Sequence, residues 1–116
     1  GGNPVIASAC KATLEIIIAE QIKEKTLEKE AVLRSKLQHP EIKEIRGKGL
    51  MLALILATPE KANELVLEAA KKGLILFWLL FEKKAVRISP PLTISMEELA
   101  KGCDIILSIL NKKQAL

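Results

Sequence analysis

The sequence predicts an α+β domain in which a small, mostly antiparallel sheet is covered by helices. Three observations carry that prediction. Apolar, strand-like stretches at 45–57 and 74–81 flank a segment with clear helix start and stop signals. A short returning stretch, 85–89, follows a polar turn. Helical patterns occupy both ends of the chain and can cover a sheet.

Asn3-Pro4 reads as a helix start, since Asn caps free amides and Pro fits the first turn. The helix runs from Val5 to about Ile22. Val5, Ile6, Ala9, Cys10, Ala12, Leu14, Ile16, Ile17 and Ile18 leave it little polar face, so neighbours are expected on several sides. A charged stretch, Glu24 to Gln38, either continues this helix or bends away, and His39-Pro40 stops it.

Ile45 to Ala57 reads as one strand interrupted by Gly47 and Gly49, and its run Leu50 to Leu56 suits a strand covered on both faces. Thr58-Pro59-Glu60 opens a helix with a cap, a first-turn proline and an acid. Ala62, Leu65, Val66, Ala69 and Ala70 form its apolar stripe, and Lys71-Lys72-Gly73 closes it. Leu74 to Phe81 is strand-like, Glu82-Lys83-Lys84 is a turn, and Ala85 to Ser89 returns. Pro90-Pro91 ends the ladder. Ser95 and Glu98 make a capping box for a last helix bearing Leu99, Cys103, Ile106, Leu107 and Leu110 on one face.

At 116 residues, with 49% hydrophobic and 28% charged residues, the chain suits one globular domain, 1–116. The net charge of +4 comes from 15 Lys and three Arg, and most Lys sit beside Glu. That makes a mixed, solvated helix face rather than a phosphate-binding stripe, and aromatics for stacking bases are scarce, so nucleic acid is not an expected partner. Cys10 and Cys103 lie in apolar helical patterns, where buried free thiols are the rule. There is no CxxC spacing, and His39, the only His, sits before Pro40 as a turn residue, so no metal site is expected. The longest apolar run, Leu74 to Phe81, is too short to span a bilayer, and no signal peptide is visible. The default compartment is the cytoplasm. Residue 1 is Gly rather than Met, which reads as a fragment, a processed chain or a trimmed one.

Three motifs carry a resemblance to a known family. Gly1-Gly2-Asn3-Pro4 resembles the Gly-Gly-Asn-Pro segment of class-III aminotransferases. Arg46-Gly47-Lys48-Gly49-Leu50-Met51 resembles their Arg-Gly-X-Gly-Leu-Met strand entry. Arg87-Ile88-Ser89-Pro90-Pro91-Leu92-Thr93 resembles their Arg-X-X-Pro-Pro-Leu-Thr segment. The three stand in the family's order and cover the whole chain. The subgroup resembled is the acetylornithine/ornithine aminotransferases.

The resemblance implies the C-terminal small domain of a fold-type I enzyme, with residues 1–22 as the helix joining it to a missing large domain. It implies a homodimeric parent that moves an amino group between an ornithine- or acetylornithine-like donor and a 2-oxo acid. It implies pyridoxal phosphate in that parent, with the Schiff-base Lys and the pyridinium-paired Asp upstream of Gly1. The chain alone is therefore expected to be inactive, with no catalytic or cofactor-binding residue of its own. One departure lies in Leu76 to Lys84, where family members often carry small turn residues; it leaves the contour of this edge and the amino donor open.

Arg87 is the substrate-binding candidate. In the family the matching Arg holds a substrate carboxylate, which its planar fork can grip with two parallel bonds. Its alternative is a strand-end Arg paired with Glu82. Arg46 reads as a strand-entry residue that fixes its loop, and Gly47 and Gly49 as turn or bulge glycines. Gly1, Gly2 and Asn3 resemble a segment at the family's subunit interface, near the partner's cofactor phosphate. Ile17 is assigned to an interface because the apolar first helix is expected to self-associate as a two-fold pair, helped by Phe77, Trp78 and Phe81. The opposing possibility is that this helix folds back into its own chain or frays. Trp78, Phe77 and Phe81 read as core or subdomain interface rather than a ligand-stacking set. The rival to an aminotransferase domain is a free-standing α+β ligand-binding or dimerisation module without catalysis.

Overall fold

The computed structural model describes residues 4–112, with side chains from Thr13 onward. Gly1, Gly2 and Asn3 lie outside the described residues, as does the Cys10 side chain. The order is α1 (Pro4–Lys36), β1 (Ile42–Lys48), β2 (Met51–Leu56), α2 (Pro59–Lys71), β3 (Phe77–Trp78), β4 (Ala85–Ile88) and α3 (Met96–Asn111). The strands form one sheet in the order β1-β2-β4-β3, and every neighbouring pair is antiparallel. The fold is therefore α+β, a small antiparallel sheet with helices on one face.

The charged stretch after residue 24 continues the first helix, and α1 is a single helix of 33 residues, about 50 Å at the usual rise. Among its described side chains only the C-terminal part enters the core, through Leu33, followed just past the helix end by Leu37. Leu14, Ile16, Ile17, Ile18, Ile22 and Leu27 are all exposed, so the neighbours expected on several sides of this segment are absent among the described residues.

The single strand expected at 45–57 is instead a tight hairpin. Its turn sits at Gly49-Leu50, and the pairing runs from Lys48↔Met51 to Ile42↔Leu56, with a bulge near Lys43. Gly47 has φ +111°, where a Cβ would collide with the Met51 carbonyl, and Gly49 has φ +62°. These two glycines allow the reversal that the apolar run concealed. β2 is buried on alternate residues only. Leu52, Leu54 and Leu56 face the core, Met51 is exposed, and Ala53 and Ile55 are half-buried.

Thr58 caps α2 by accepting from the Lys61 amide at 3.1 Å, and Gly73, at φ +85°, helps close it. Ser95 caps α3, accepting from the Glu98 amide at 3.1 Å and donating to the Glu98 carboxylate at 3.0 Å. The buried side of α3 is Leu99, Cys103, Ile106, Ile109 and Leu110; Ile109 takes the place expected of Leu107. α2 and α3 pack on each other, α2 covers one face of the sheet, and α1 meets α3. The core lies between, in Leu52, Leu54, Val86, Leu65, Leu33 and Leu37 among others.

The strand expected at 74–81 shrinks to Phe77–Trp78, and its partner β4 is only four residues long. Beyond it Leu80 is 91% and Phe81 fully exposed, and Trp78 is half-exposed. These aromatics are not core residues. His39 is the turn residue expected. Its Nδ1 accepts from the Glu41 amide at 3.0 Å, which leaves the proton on Nε2 to reach Asn111 Oδ1 at 2.7 Å. The ring thus ties the start of β1 to the end of α3.

Candidate functional site

The face of the sheet away from the helices holds Glu44, Arg46, Lys48, Arg87 and Phe77, whereas Trp78 pairs with core Val86. The antiparallel register aligns them in rows. Arg46 pairs with Ala53, Ala53 with Arg87, and Arg87 with Phe77, so these four residues cross the open face side by side. Glu44, Ile55 and Ala85 form the row on one side. Lys48 and Met51 begin the row on the other, and the same register places Ser89 and Ile75 at its far end. Burial agrees with that extension: Leu76 and Ile88 are core residues, whereas Ile75 is 64% exposed.

The two arginines on this face differ in their surroundings. Arg46 reaches Glu44 at 3.0 Å, two residues back on the same side of β1. The hydrogen bond from Arg46 holds the Glu44 carboxyl below its ordinary range, and Glu44 raises the guanidinium in turn. Both side chains are more than half exposed, so the pair contributes little to stability. Arg87 has no ion pair among the described residues, so the alternative pairing with Glu82 is not formed. Its guanidinium carbon sits 5.1 Å from the centre of the Phe77 ring, and Ala53 leaves room on its other flank. Arg87 Nε is buried without a hydrogen-bond partner, and so is Ser89 Oγ. Ser89, but not Arg87, lines a mostly apolar cleft of about 300 Å³, with Ile75, Phe77, Ile88, Pro90 and Ile94. An always-charged, half-buried fork with an unmet N–H is a seat for an oxyanion.

The loop-fixing role expected of Arg46 belongs to Arg34. From α1, Arg34 donates to the carbonyls of Ile45 at 3.0 Å and Gly47 at 2.7 Å. These carbonyls lie two residues apart on β1, the edge strand, and so point to the same side. Glu30 accepts from Arg34 Nε at 3.0 Å and from the Gly49 amide. The Gly49 amide and then Arg34 keep the Glu30 carboxyl below its ordinary range. The hairpin that carries Arg46 and Ala53 is thereby held to α1. The signal available in the sequence was the Glu30/Arg34 spacing of four on a helix, which also fits an ordinary solvated pair.

Ile17 is 49% exposed on α1. Cys103 is fully buried, and burial pushes its thiol up to about 11. It borders a small apolar pocket of about 60 Å³, with Leu33, Leu74, Leu76 and Leu99. Among the described residues no cluster of three or more His, Cys, Asp or Glu could hold a metal, and no helix is long and apolar enough to cross a membrane.

The chain belongs to the class-III aminotransferase family, whose model matches residues 1–110. Ornithine aminotransferase 2 of Staphylococcus saprophyticus is 34% identical over 112 residues, covering 94% of this chain and 27% of that protein. An alanine/serine racemase of Pyrococcus horikoshii is 35% identical, covering 90% of this chain and 24% of that one. The crystal structure of N-acetylornithine aminotransferase from Stenotrophomonas maltophilia superposes with a TM-score of 0.72 at 26% identity, over 95% of this chain and 32% of that one. The chain thus spans about a quarter to a third of the length of these proteins.

The family implies pyridoxal phosphate, which calls for a lysine amine and an acid facing its ring nitrogen. The described residues do not fit that group. None of the buried ones is polar or charged, and Asp104, the only aspartate, is exposed on α3.

Proposed function

We propose that this chain is the C-terminal small domain of a pyridoxal-phosphate-dependent aminotransferase and that Arg87 binds a substrate carboxylate there. The carrying observation is the unpaired Arg87, with its unmet Nε on the open face of the sheet. An amino acid and a 2-oxo acid each bring a carboxylate, and the two-bond grip of an arginine sets one pose for the reacting carbon. Phe77 keeps the fork flat, and Ala53 keeps the approach open.

The cofactor and its lysine belong, in this reading, to a large domain upstream, so the chain alone neither binds pyridoxal phosphate stoichiometrically nor turns over. The amino donor is ornithine- or acetylornithine-like, a reading supported by the names of several relatives. The parent is a cytoplasmic homodimer. Gly1, Gly2 and Asn3 lie at its subunit interface, and the exposed apolar segment around Ile17 packs against the large domain or the second subunit.

Two experiments test this. Reading the coding region upstream should reveal a large domain with a cofactor lysine; a start codon after a short leader would overturn the reading. In the full-length protein, Arg87→Lys replaces a fork with a point charge. The second-order rate constant for 2-oxoglutarate should fall by about 1.5–3 kcal/mol, a tenfold loss or more. An unchanged constant would leave Arg87 a structural residue.

A further inference from the structure

We propose that Ser89 is a second carboxylate-binding residue, whose hydroxyl donates to the same anion as Arg87. This rests on the carboxylate reading of Arg87 and adds a partner to it. Ser89 lies two residues beyond Arg87, so the pleat brings both side chains to the open face, about 7 Å apart along the chain. In register terms Ser89 stands between Met51 and Ile75, which are 63% and 64% exposed. It therefore borders the same open face with apolar residues on both sides, the nearest charge of its row being Lys48 beyond Met51.

Two polar atoms on this face are buried and unmet, Arg87 Nε and Ser89 Oγ. A buried donor without a partner is costly, and native structures rarely leave two together. The two atoms do not satisfy each other here. A carboxylate satisfies both at once, one oxygen taking the Nε–H and the other the Ser89 O–H. Water could meet either atom singly, but it brings no negative charge to a guanidinium that lacks one. Arg46, the other arginine of this face, already has its carboxylate in Glu44, and Lys48 stands on the edge strand with Met51 between it and Ser89. Pro90 and Pro91 follow Ser89 directly, and their fixed φ angles stiffen the backbone that aims its hydroxyl. The consequence is specificity for a carboxylate over a neutral amide at this position. An amide presents one acceptor oxygen and an N–H₂ group, which opposes the guanidinium.

The test uses the full-length protein and glutarate, a dicarboxylate with no carbonyl to react. Its affinity is measured by calorimetry for the wild type, Ser89→Ala, Ser89→Thr and Arg87→Lys, beside the melting midpoint of each. Loss of a hydrogen bond to a charged group should weaken glutarate about tenfold in Ser89→Ala with the midpoint unchanged. Ser89→Thr keeps the hydroxyl and should stay within about threefold of wild type. In turnover, Ser89→Ala should raise KM for 2-oxoglutarate and leave kcat nearly unchanged. If Arg87→Lys weakens glutarate while Ser89→Ala does not, this inference falls and the Arg87 reading stands. If neither variant matters, the carboxylate reading itself falls. A loss in Ser89→Ala that tracks a lower melting midpoint, and that Ser89→Thr does not restore, would overturn it as a packing effect.

Discussion

The two faces of the sheet are built on different terms. On the helix side Leu52, Leu54, Leu56, Val86 and Ile88 are buried to within a few per cent and interlock with α2 and α3. On the open side the same strands carry Arg46, Ala53, Arg87 and Phe77, in register but only partly covered. Stability belongs to the first face, and the proposed carboxylate recognition to the second. The small residue Ala53 would be a poor core filler. On the open face, between Arg46 and Arg87, it leaves clearance around a guanidinium. The hairpin joins the two roles, since one β2 backbone presents leucines inward and Ala53 outward.

The largest expected effect tests that division directly. Leu54→Ala removes most of a side chain with no exposed surface and should destabilise the chain by about 2–5 kcal/mol. Ile55→Ala, one residue along on the open face, should cost about 1 kcal/mol or less. Denaturant unfolding of both variants measures the contrast. Equal losses would mean that the open face is also packed in solution and would break the comparison.

A smaller effect is expected at the clamp between α1 and the hairpin. Arg34→Ala leaves two edge carbonyls to water and should cost about 1–2 kcal/mol, since the side chain is partly exposed. Its partner adds a pH dependence. The folded Glu30 carboxyl lies below its ordinary range, so the stability it contributes is present above that range and is lost as pH falls through the folded value. The gap in melting midpoint between the wild type and Glu30→Gln should therefore be open at pH 7 and should close as pH falls below the ordinary carboxylate range. A gap that persists in acid would show that Glu30 acts through packing rather than charge.

The helices and their caps were legible in the sequence because their signals are local. Thr58 and Ser95 each announce a helix within four residues, and both cap as read. The hairpin was hidden because Met51, Ala53 and Ile55 are apolar on a face that no described element covers, so the alternation of a half-buried strand did not show. β3 was overread because apolar character alone makes no strand. Its partner β4 is four residues long, and Leu80 and Phe81 have nothing to pair with. At the site, Arg87 was reachable from its motif. Arg34 and Ser89 were not, because one acts across 11 and 13 residues of chain and the other matters only through strand register.

The smallest expected effect concerns Gly102, inside α3 beside the apolar pocket that Cys103 and Leu74 also line. Glycine within a helix costs about 0.5–1 kcal/mol relative to alanine, because the unfolded chain has more freedom to lose. A glycine kept there is commonly required by a positive φ or a close approach. Gly102 has neither. It is not among the glycines of positive φ, and a Cβ built on it would meet only Leu74 Cδ1 at 3.8 Å, an ordinary contact. The methyl would point into space that is already apolar, so it should gain contacts without displacing a polar group. Gly102→Ala should therefore stabilise the chain by about 0.5–1 kcal/mol, read as a higher denaturant midpoint at unchanged slope. The same change leaves every residue of the open face untouched, so in the full-length protein the affinity for glutarate should not move. A stabilised chain with unchanged glutarate binding would sharpen the separation of the two faces. A stabilised chain that binds glutarate more weakly would show that packing on the helix side reaches Arg87 through β4.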